Sequence, residues 1–129
     1  MAHGNFVIDK GYTAAAAITK YRAVKFSAAE VVTPATAITD RPAGWAQFGV
    51  TAGEITRGKG SSVRVQGITE AEAAGAIGIG VQCQLEADGR VSAIVGASGK
   101  RLVGVCTGHP SVNAGDRIAM RIDHGLGVA

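Results

Sequence analysis

The clearest hydrophobic pattern in the chain is the alternation over residues 77–86, which read IGIGVQCQLE. A period of two residues places successive side chains on opposite faces of an extended chain, as in a half-buried β-strand. Glycines and polar side chains fill the other face. The apolar positions share one face: Ile77, Ile79, Val81, Cys83 and Leu85. We predict a strand over residues 77–86.

Shorter runs rich in β-branched and aromatic residues, separated by turn formers, predict further strands. The pair Asp88-Gly89 predicts a hairpin with a type I′ turn after the first strand. Seven or eight short strands at this spacing are typical of a small all-β barrel or sandwich. The runs cover residues 20–26, 30–39, 44–50, 62–68, 90–96, 101–108 and 117–122.

Helix signals are sparse. Residues 27–30 and 69–72 both have the spacing of a capping box. The first runs directly into β-branched residues, and the second is stopped by Gly75. At most one short helix is predicted, over residues 69–74. The dipeptide Ala-Gly, which recurs at Gly53, Gly75 and Gly115, is interpreted as a repeated turn.

Length and composition favour one folded domain. A chain of 129 residues is long enough for a single core, and its low aromatic content of 5% indicates a core of Val, Ile, Leu and Ala. We expect an N-terminal arm over residues 1–17 and a single β domain over residues 18–129. No stretch approaches the ~20 apolar residues of a membrane span, so no membrane partner is expected. The start also lacks the pattern of a secretion signal.

The two cysteines, Cys83 and Cys106, lie in strand-like runs. Buried thiols in a reducing compartment are the favoured interpretation, and a disulfide between them is the alternative.

The net charge of +3 is concentrated at the N-terminal end. Residues 1–26 carry four basic side chains against one acidic side chain, Asp9, and the rest of the chain is balanced. Charge alone favours a solvated segment that keeps the protein soluble. The alternative is a basic arm that docks on an acidic partner.

No residue pattern predicts a catalytic, metal or cofactor site. The histidines His3, His109 and His124 lack metal-ligand spacing, and surface positions are favoured for them. A nucleophilic pair of Cys106 with His109 is disfavoured, because Cys106 falls inside a strand pattern. The Gly-rich residues 57–62 lack the spacing of a phosphate-binding loop and are interpreted as a basic hairpin loop.

Two other function classes are alternatives. The segment GDRIA at residues 115–119 resembles part of the trimeric all-β dUTP pyrophosphatases. In that family a catalytic Asp and a base-stacking Tyr lie shortly before this segment, whereas the only comparable pair here, Asp9 and Tyr12, is at the other end of the chain. A small-barrel nucleic-acid-binding module is the second alternative, which would want aromatic residues interleaved with basic ones. Trp45 and Phe48, three residues apart, are instead interpreted as core or interface residues. No nucleic-acid partner is expected.

An ordered series of segments resembles the capsid cement, or head decoration, proteins of tailed bacteriophages. The resemblance spans roughly residues 18–122. It is carried by KYRAVKF, then ITDRPAGWAQFGV, TAGEITRGKGSSVRVQGI and AGAIGIGVQCQLEADGRV, and finally VNAGDRIAMRI.

This resemblance implies a small β-barrel or β-tulip-like fold, often trimeric, that binds the outside of the expanded capsid without chemistry. The expected partners are the major capsid protein and two further copies of this chain in a homotrimer. The expected location is the outer capsid surface of the virion, after synthesis in the cytoplasm of the host bacterium. A flexible lead could add a strand to an exposed edge of a capsid subunit. Removal of residues 2–17 is therefore expected to leave the barrel folded and to abolish capsid binding. The predicted capsid contacts are Phe6, Val7, Ile8, Lys10 and Tyr12.

Overall fold

The computed structural model describes residues 6–129, and in these residues it contains ten strands and one short helix. The all-β prediction is confirmed. In chain order the elements are β1 (Ile8–Ala14), β2 (Ala23–Ala28), β3 (Val31–Pro34), β4 (Gly44–Ala46), α1 (Ala52–Thr56), β5 (Ser61–Gln66), β6 (Ile68–Glu72), β7 (Gln82–Leu85), β8 (Val91–Ala93), β9 (Leu102–Gly108) and β10 (Arg117–Ile122).

The strands form two sheets. The first five close into a barrel in the order β1-β3-β2-β4-β5, and the other five form a sheet in the order β6-β10-β9-β7-β8. Closing the barrel pairs β1 with both β5 and β3 and so removes the free edges of that sheet. The predicted barrel is therefore confirmed, with a second sheet beside it.

Two apolar cores follow from the alternation of side chains along these strands. Val24, Val32 and Val63 fill the barrel interior. A second core lies between the barrel and the other sheet, where the barrel side chain Trp45 packs with residues such as Leu85. Strand β4 serves both cores, because Trp45 and its neighbour Ala46 point to opposite sides. The two sheets thus share buried surface.

Strand β1 corrects the prediction of a flexible N-terminal arm. Ile8–Ala14 pairs antiparallel with β5, from Ile8 opposite Gln66 to Tyr12 opposite Ser61. It also pairs in parallel with β3 at Thr13 and Ala14. The interpretation of residues 8–14 as part of an arm is wrong, because their backbone groups complete the barrel. Residues 1–5 of that arm lie outside the described residues.

The long strand predicted over residues 77–86 is shorter in the structure. Only Gln82–Leu85 forms strand β7. Ile77 is buried and forms an isolated β-bridge with Ser111, whereas Ile79 is exposed. The chain turns at residues 78–81, just before β7, where the Val81 N–H donates to the Gly78 carbonyl at 3.3 Å. The alternating sequence thus continues through a turn that its glycines permit.

The single short helix lies at α1 rather than at residues 69–74. Thr51 caps it: the Thr51 Oγ1 accepts from the Glu54 N–H at 3.1 Å, and the Glu54 carboxylate accepts from the Thr51 N–H at 3.0 Å. This reciprocal pair is a capping box, which the interpretation of Gly53 as a turn residue overlooked. The predicted helix is instead strand β6, because pairing with β10 buries Thr69 and Ala71.

The hairpin after β7 is confirmed, but its turn is not type I′. Strands β7 and β8 pair antiparallel, with Leu85 opposite Val91. The Gly89 N–H donates to the Glu86 carbonyl at 3.0 Å. A type I′ turn needs positive φ at two central residues, and of the pair Asp88-Gly89 only Gly89 has it, at 84°.

Both cysteines are buried and free, which predicts a specific pattern of thiol reactivity. Burial raises the pKa of the Cys83 thiol to about 12. We expect no reaction of the native protein with a thiol reagent at neutral pH, and two reactive thiols per chain after denaturation without reductant. The measurement is a colorimetric thiol titration with and without guanidinium. Absence of thiols in the denatured protein would indicate the disulfide instead.

Candidate interaction surface

The predicted contact residues lie along one continuous stretch at the start of the barrel. Phe6 and Val7 precede β1, and Ile8, Lys10 and Tyr12 belong to it. Phe6 is 85% exposed and Ile8 is 43% exposed, which are large fractions for apolar side chains. Tyr12 is half-buried and packs against the barrel core. We call the three residues Phe6, Val7 and Ile8 the apolar strip.

The apolar strip is held against the connection between β5 and β6. Gly67 lies in this connection with φ of 98°. A Cβ atom at this position would collide with the Phe6 carbonyl oxygen and would lie 2.9 Å from Val7 Cγ1. The absence of a side chain at residue 67 therefore lets the backbone of Phe6 and Val7 pack closely on the barrel.

An ion pair fixes β1 next to the apolar strip. Arg64 of β5 donates from Nε and Nη2 to the two carboxylate oxygens of Asp9, at 2.8 and 3.0 Å. The hydrogen bond from Arg64 holds the pKa of Asp9 below its usual value. The stabilisation is therefore present above the ordinary pKa of an aspartate and is lost as the pH falls through the lowered value. The pair is partly exposed, so its contribution is at most about 1 kcal/mol.

An aromatic patch lies at the other end of β1. The rings of Tyr12 and Phe26 meet edge to face, with centroids 5.2 Å apart. Phe48 and Tyr12 line a shallow depression of about 390 Å³. The Lys59 Nζ lies 5.2 Å from the centroid of the Phe48 ring. The aromatic patch comprises Tyr12, Phe26 and Phe48, and both phenylalanines expose a large part of their surface.

Tyr12 was predicted as a contact, whereas Phe26 and Phe48 were not. Phe26 lies in a strand-like run, and Phe48 was interpreted as core or interface. The alternation of β2 carries the signal for Phe26, because it lies on the same strand face as Val24 but beyond the end of the buried part. A sequence pattern does not show where along a strand burial ends.

Half of the basic side chains of residues 1–26 are neutralised by carboxylates within the fold. Arg22 pairs with Glu72 at 3.2 Å, and Lys25 pairs with Asp40 at 3.0 Å. Lys20 lies over the Tyr21 ring at 4.6 Å. Lys10 has no carboxylate partner within residues 6–129. Lys10 and Lys20 therefore keep charges that no described carboxylate neutralises, and Lys10 lies beside the apolar strip.

The carboxylates relevant to the enzyme alternative have structural partners. Asp9 is paired with Arg64. The Asp116 Oδ2 accepts from the backbone N–H groups of Val112 and Asn113, at 3.0 and 2.9 Å, which closes the turn before β10. These hydrogen bonds lower the pKa of Asp116. Asp9 and Asp116 thus stabilise a strand pairing and a turn in two different sheets.

The structure does not bring the other candidate chemical groups together either. Cys106 is buried, whereas His109 is exposed. Residues 57–60 connect α1 to β5, and Lys59 in this loop pairs with Glu54 at 2.7 Å. Within the described residues, no three His, Cys, Asp or Glu side chains form a group that could hold a metal ion. No helix in the described part of the chain is long and apolar enough to cross a membrane.

Comparison with known proteins identifies the family. No curated protein sequence matches the chain. A solved structure, the N base of the head fiber protein gp8.5 of bacteriophage phi29, is similar with a TM-score of 0.65 at 15% identity, over 94% of this chain and 98% of that chain. This likeness shows a shared fold. The family model for phage cement proteins matches residues 1–122. The chain therefore belongs to the phage cement protein family, and it is a structural protein associated with the phage capsid.

Proposed function

We propose that this protein binds the outer surface of the expanded phage capsid and stabilises it, through contacts with the major capsid protein. The observation that carries the proposal is the apolar strip, three consecutive apolar residues held in place on the barrel with exposed side chains. Full burial of a Phe or Ile side chain contributes about 1.5–3 kcal/mol. Burial of Phe6 and Ile8 against a capsid subunit would thus supply a substantial part of the binding free energy.

The barrel reduces the entropic cost of this contact. A flexible arm would lose backbone freedom on binding, at roughly 1–2 kcal/mol per ordered residue. Ile8–Ala14 is already ordered by pairing with β5 and β3, and the backbone of Phe6 and Val7 packs against Gly67. The strip therefore contacts its partner as a preformed surface, and not as a segment that folds on binding.

A homotrimer would raise the affinity for the capsid, because it presents three copies of the apolar strip. Three linked copies of the strip can raise the overall affinity by about 10²–10⁴ without a new type of contact. Binding to the expanded lattice alone stabilises that lattice by mass action, since the protein then shifts the equilibrium towards the state it binds. Free Cys83 and Cys106 are in accord with synthesis in the reducing cytoplasm of the host bacterium, before assembly on the virion.

The test is co-sedimentation with expanded, undecorated heads, with unexpanded procapsids as the control for lattice state. We expect the unchanged protein to bind expanded heads saturably and procapsids not at all. The double substitution Phe6→Ser and Ile8→Ser should weaken binding at least about 100-fold, since two apolar anchors are lost and each factor of ten corresponds to about 1.4 kcal/mol.

The matched control is Val112→Ser. Val112 is 75% exposed but lies in the loop before β10, away from the apolar strip. It should bind as the unchanged protein does. Equal binding by the double variant would remove the apolar strip from the contact, and failure of the unchanged protein to bind expanded heads would overturn the proposed function.

A further inference from the structure

A second concave site lies where the barrel and the other sheet meet. It is a cleft of about 230 Å³. Its polar lining comes from Arg41 before β4, Arg101 before β9, and Asp123 and His124 after β10. Its apolar lining includes Trp45 and Leu102. These residues come from separate parts of the chain and meet only through the packing of the two sheets.

Trp45, which also lines the cleft, has a buried and unsatisfied donor. Its side chain is only 1% exposed, and its indole Nε1 is buried without an acceptor among the described residues. Buried N–H groups in folded proteins are nearly always hydrogen-bonded, so the acceptor has to come from outside this part of the chain.

The two arginines add uncompensated positive charge. Arg101 donates from Nε and Nη2 to the Thr39 carbonyl, at 3.3 and 3.1 Å, and has no carboxylate partner within residues 6–129. Arg41 forms no ion pair with any described residue. Arg57 and Arg121 are likewise without an ion pair among the described residues, but neither lines the cleft. The cleft therefore collects two guanidinium groups that the rest of the fold does not neutralise.

Asp123 and His124, the other two polar residues of the cleft, do not form ion pairs with the arginines. The Asp123 Oδ1 accepts from the Gly125 N–H at 3.0 Å, and the carboxylate lies beyond ion-pair distance of both arginines. The His124 Nε2 lies 2.6 Å from the Val65 carbonyl oxygen. Two guanidinium groups against one carboxylate give the lining a net charge of one positive unit, without counting His124.

We propose that this cleft binds a carboxylate group carried on a short apolar stem. A guanidinium offers two parallel N–H donors that match the two oxygens of a carboxylate. Leu102 and Pro42, both half-buried, provide apolar surface for the stem. The volume is below the roughly 300–1,000 Å³ of pockets that enclose drug-sized ligands, which limits the ligand to a small group. The carboxylate comes either from a free small acid or from an acidic side chain of a bound protein.

The experiment uses the fluorescence of Trp45, because the sequence contains one Trp. The full chain is titrated with sodium butyrate and with the α-amide of N-acetylglutamate, at constant ionic strength. Butyramide and sodium chloride are the neutral and ionic controls. We expect a saturable change in emission with a carboxylate and none with butyramide. A response to the glutamate derivative identifies a protein side chain as the source, and a response to butyrate alone identifies a free small acid.

Substitutions of arginine distinguish carboxylate binding in the cleft from a general effect of protein charge. R41Q and R101Q should each weaken carboxylate binding at least about tenfold, since each removes a positive charge and charge-assisted N–H donors from the lining. R121Q is the matched control, because Arg121 is an exposed arginine of β10 that does not line the cleft. It should bind as the unchanged protein does. Protection of the two thiols from a thiol reagent shows that each variant is folded.

Three results would overturn the proposal: no saturable response to any carboxylate, the same response to butyramide, or undiminished binding in both R41Q and R101Q. The proposal does not depend on capsid binding, since the titration contains no capsid.

Discussion

Removal of residues 2–14 is expected to abolish folding of the barrel. The deletion takes away β1, which pairs with β5 and β3 and closes the barrel. Val32 and Val63, both fully buried, would become open to water, and two strand edges would lose their partners. Domains of this size are stable by only about 5–15 kcal/mol, so loss of a whole strand exceeds what the rest can compensate. The measurement is circular dichroism with a thermal melt.

The matched control is removal of residues 2–7, which stops before β1. This variant should melt cooperatively, because every strand of the barrel is kept. An unchanged melting midpoint after removal of residues 2–14 would contradict the role of β1. The result also affects the capsid experiment: a protein without β1 would lose binding through unfolding, so only side-chain substitutions in the apolar strip test the contact itself.

The substitution Gly104→Ala is expected to destabilise the protein strongly, although it adds only one methyl group. Gly104 lies in β9, between Cys83 of β7 and Ile122 of β10. An added Cβ would collide with the backbone carbonyl of Arg121 and would lie 2.9 Å from Met120 Cγ. Because β9 is paired on both sides, it has no direction in which to move away. We expect a loss of about 3 kcal/mol in the free energy of unfolding, at the upper end of overpacking effects.

Gly108→Ala is the matched control on the same strand. Its added Cβ would meet only Ala119 Cβ, at 3.8 Å, which is an ordinary contact. This variant should change the free energy of unfolding by less than about 0.5 kcal/mol. Urea denaturation of both variants provides the comparison. Equal stability of the two would show that β9 and β10 can separate without loss, contrary to the close packing of Gly104 on β10.

Local patterns placed several strands correctly, although the clearest alternation, over residues 77–86, forms a strand only at Gln82–Leu85. Elements that depend on distant partners were missed. Strand β10 was predicted from the alternation of Ile118 and Met120, and both side chains are buried. Strand β1 was missed because most of its residues are exposed, so it shows no alternation of buried and exposed positions. Its partner β5 lies about fifty residues further along the chain. Strand β6 was interpreted as a helix because Thr69 and Glu72 have the spacing of a capping box.

Only part of the candidate surface was likewise predicted from the sequence. Phe6, Val7 and Ile8 were identified from their position in the sequence, and the structure shows them exposed. Their role as capsid contacts stays a prediction. The aromatic patch was missed, since Tyr12 and Phe26 come together only when β1 and β2 lie on either side of β3. The free positive charge of residues 1–26 was overestimated for a related reason: Glu72 and Asp40, which neutralise Arg22 and Lys25, lie in later parts of the chain.

By itself the sequence determined that this protein is all-β, that Asp88 and Gly89 connect two strands in a hairpin, and that the chain resembles phage cement proteins. Only the tertiary structure decided which strand closes the barrel, where the short helix lies, and which side chains form the aromatic patch and the cleft at Trp45. The physical reason is that alternation specifies which face of a strand is buried but not which strand pairs with it. Partner and register are set by long-range packing, which acts between residues far apart in the chain.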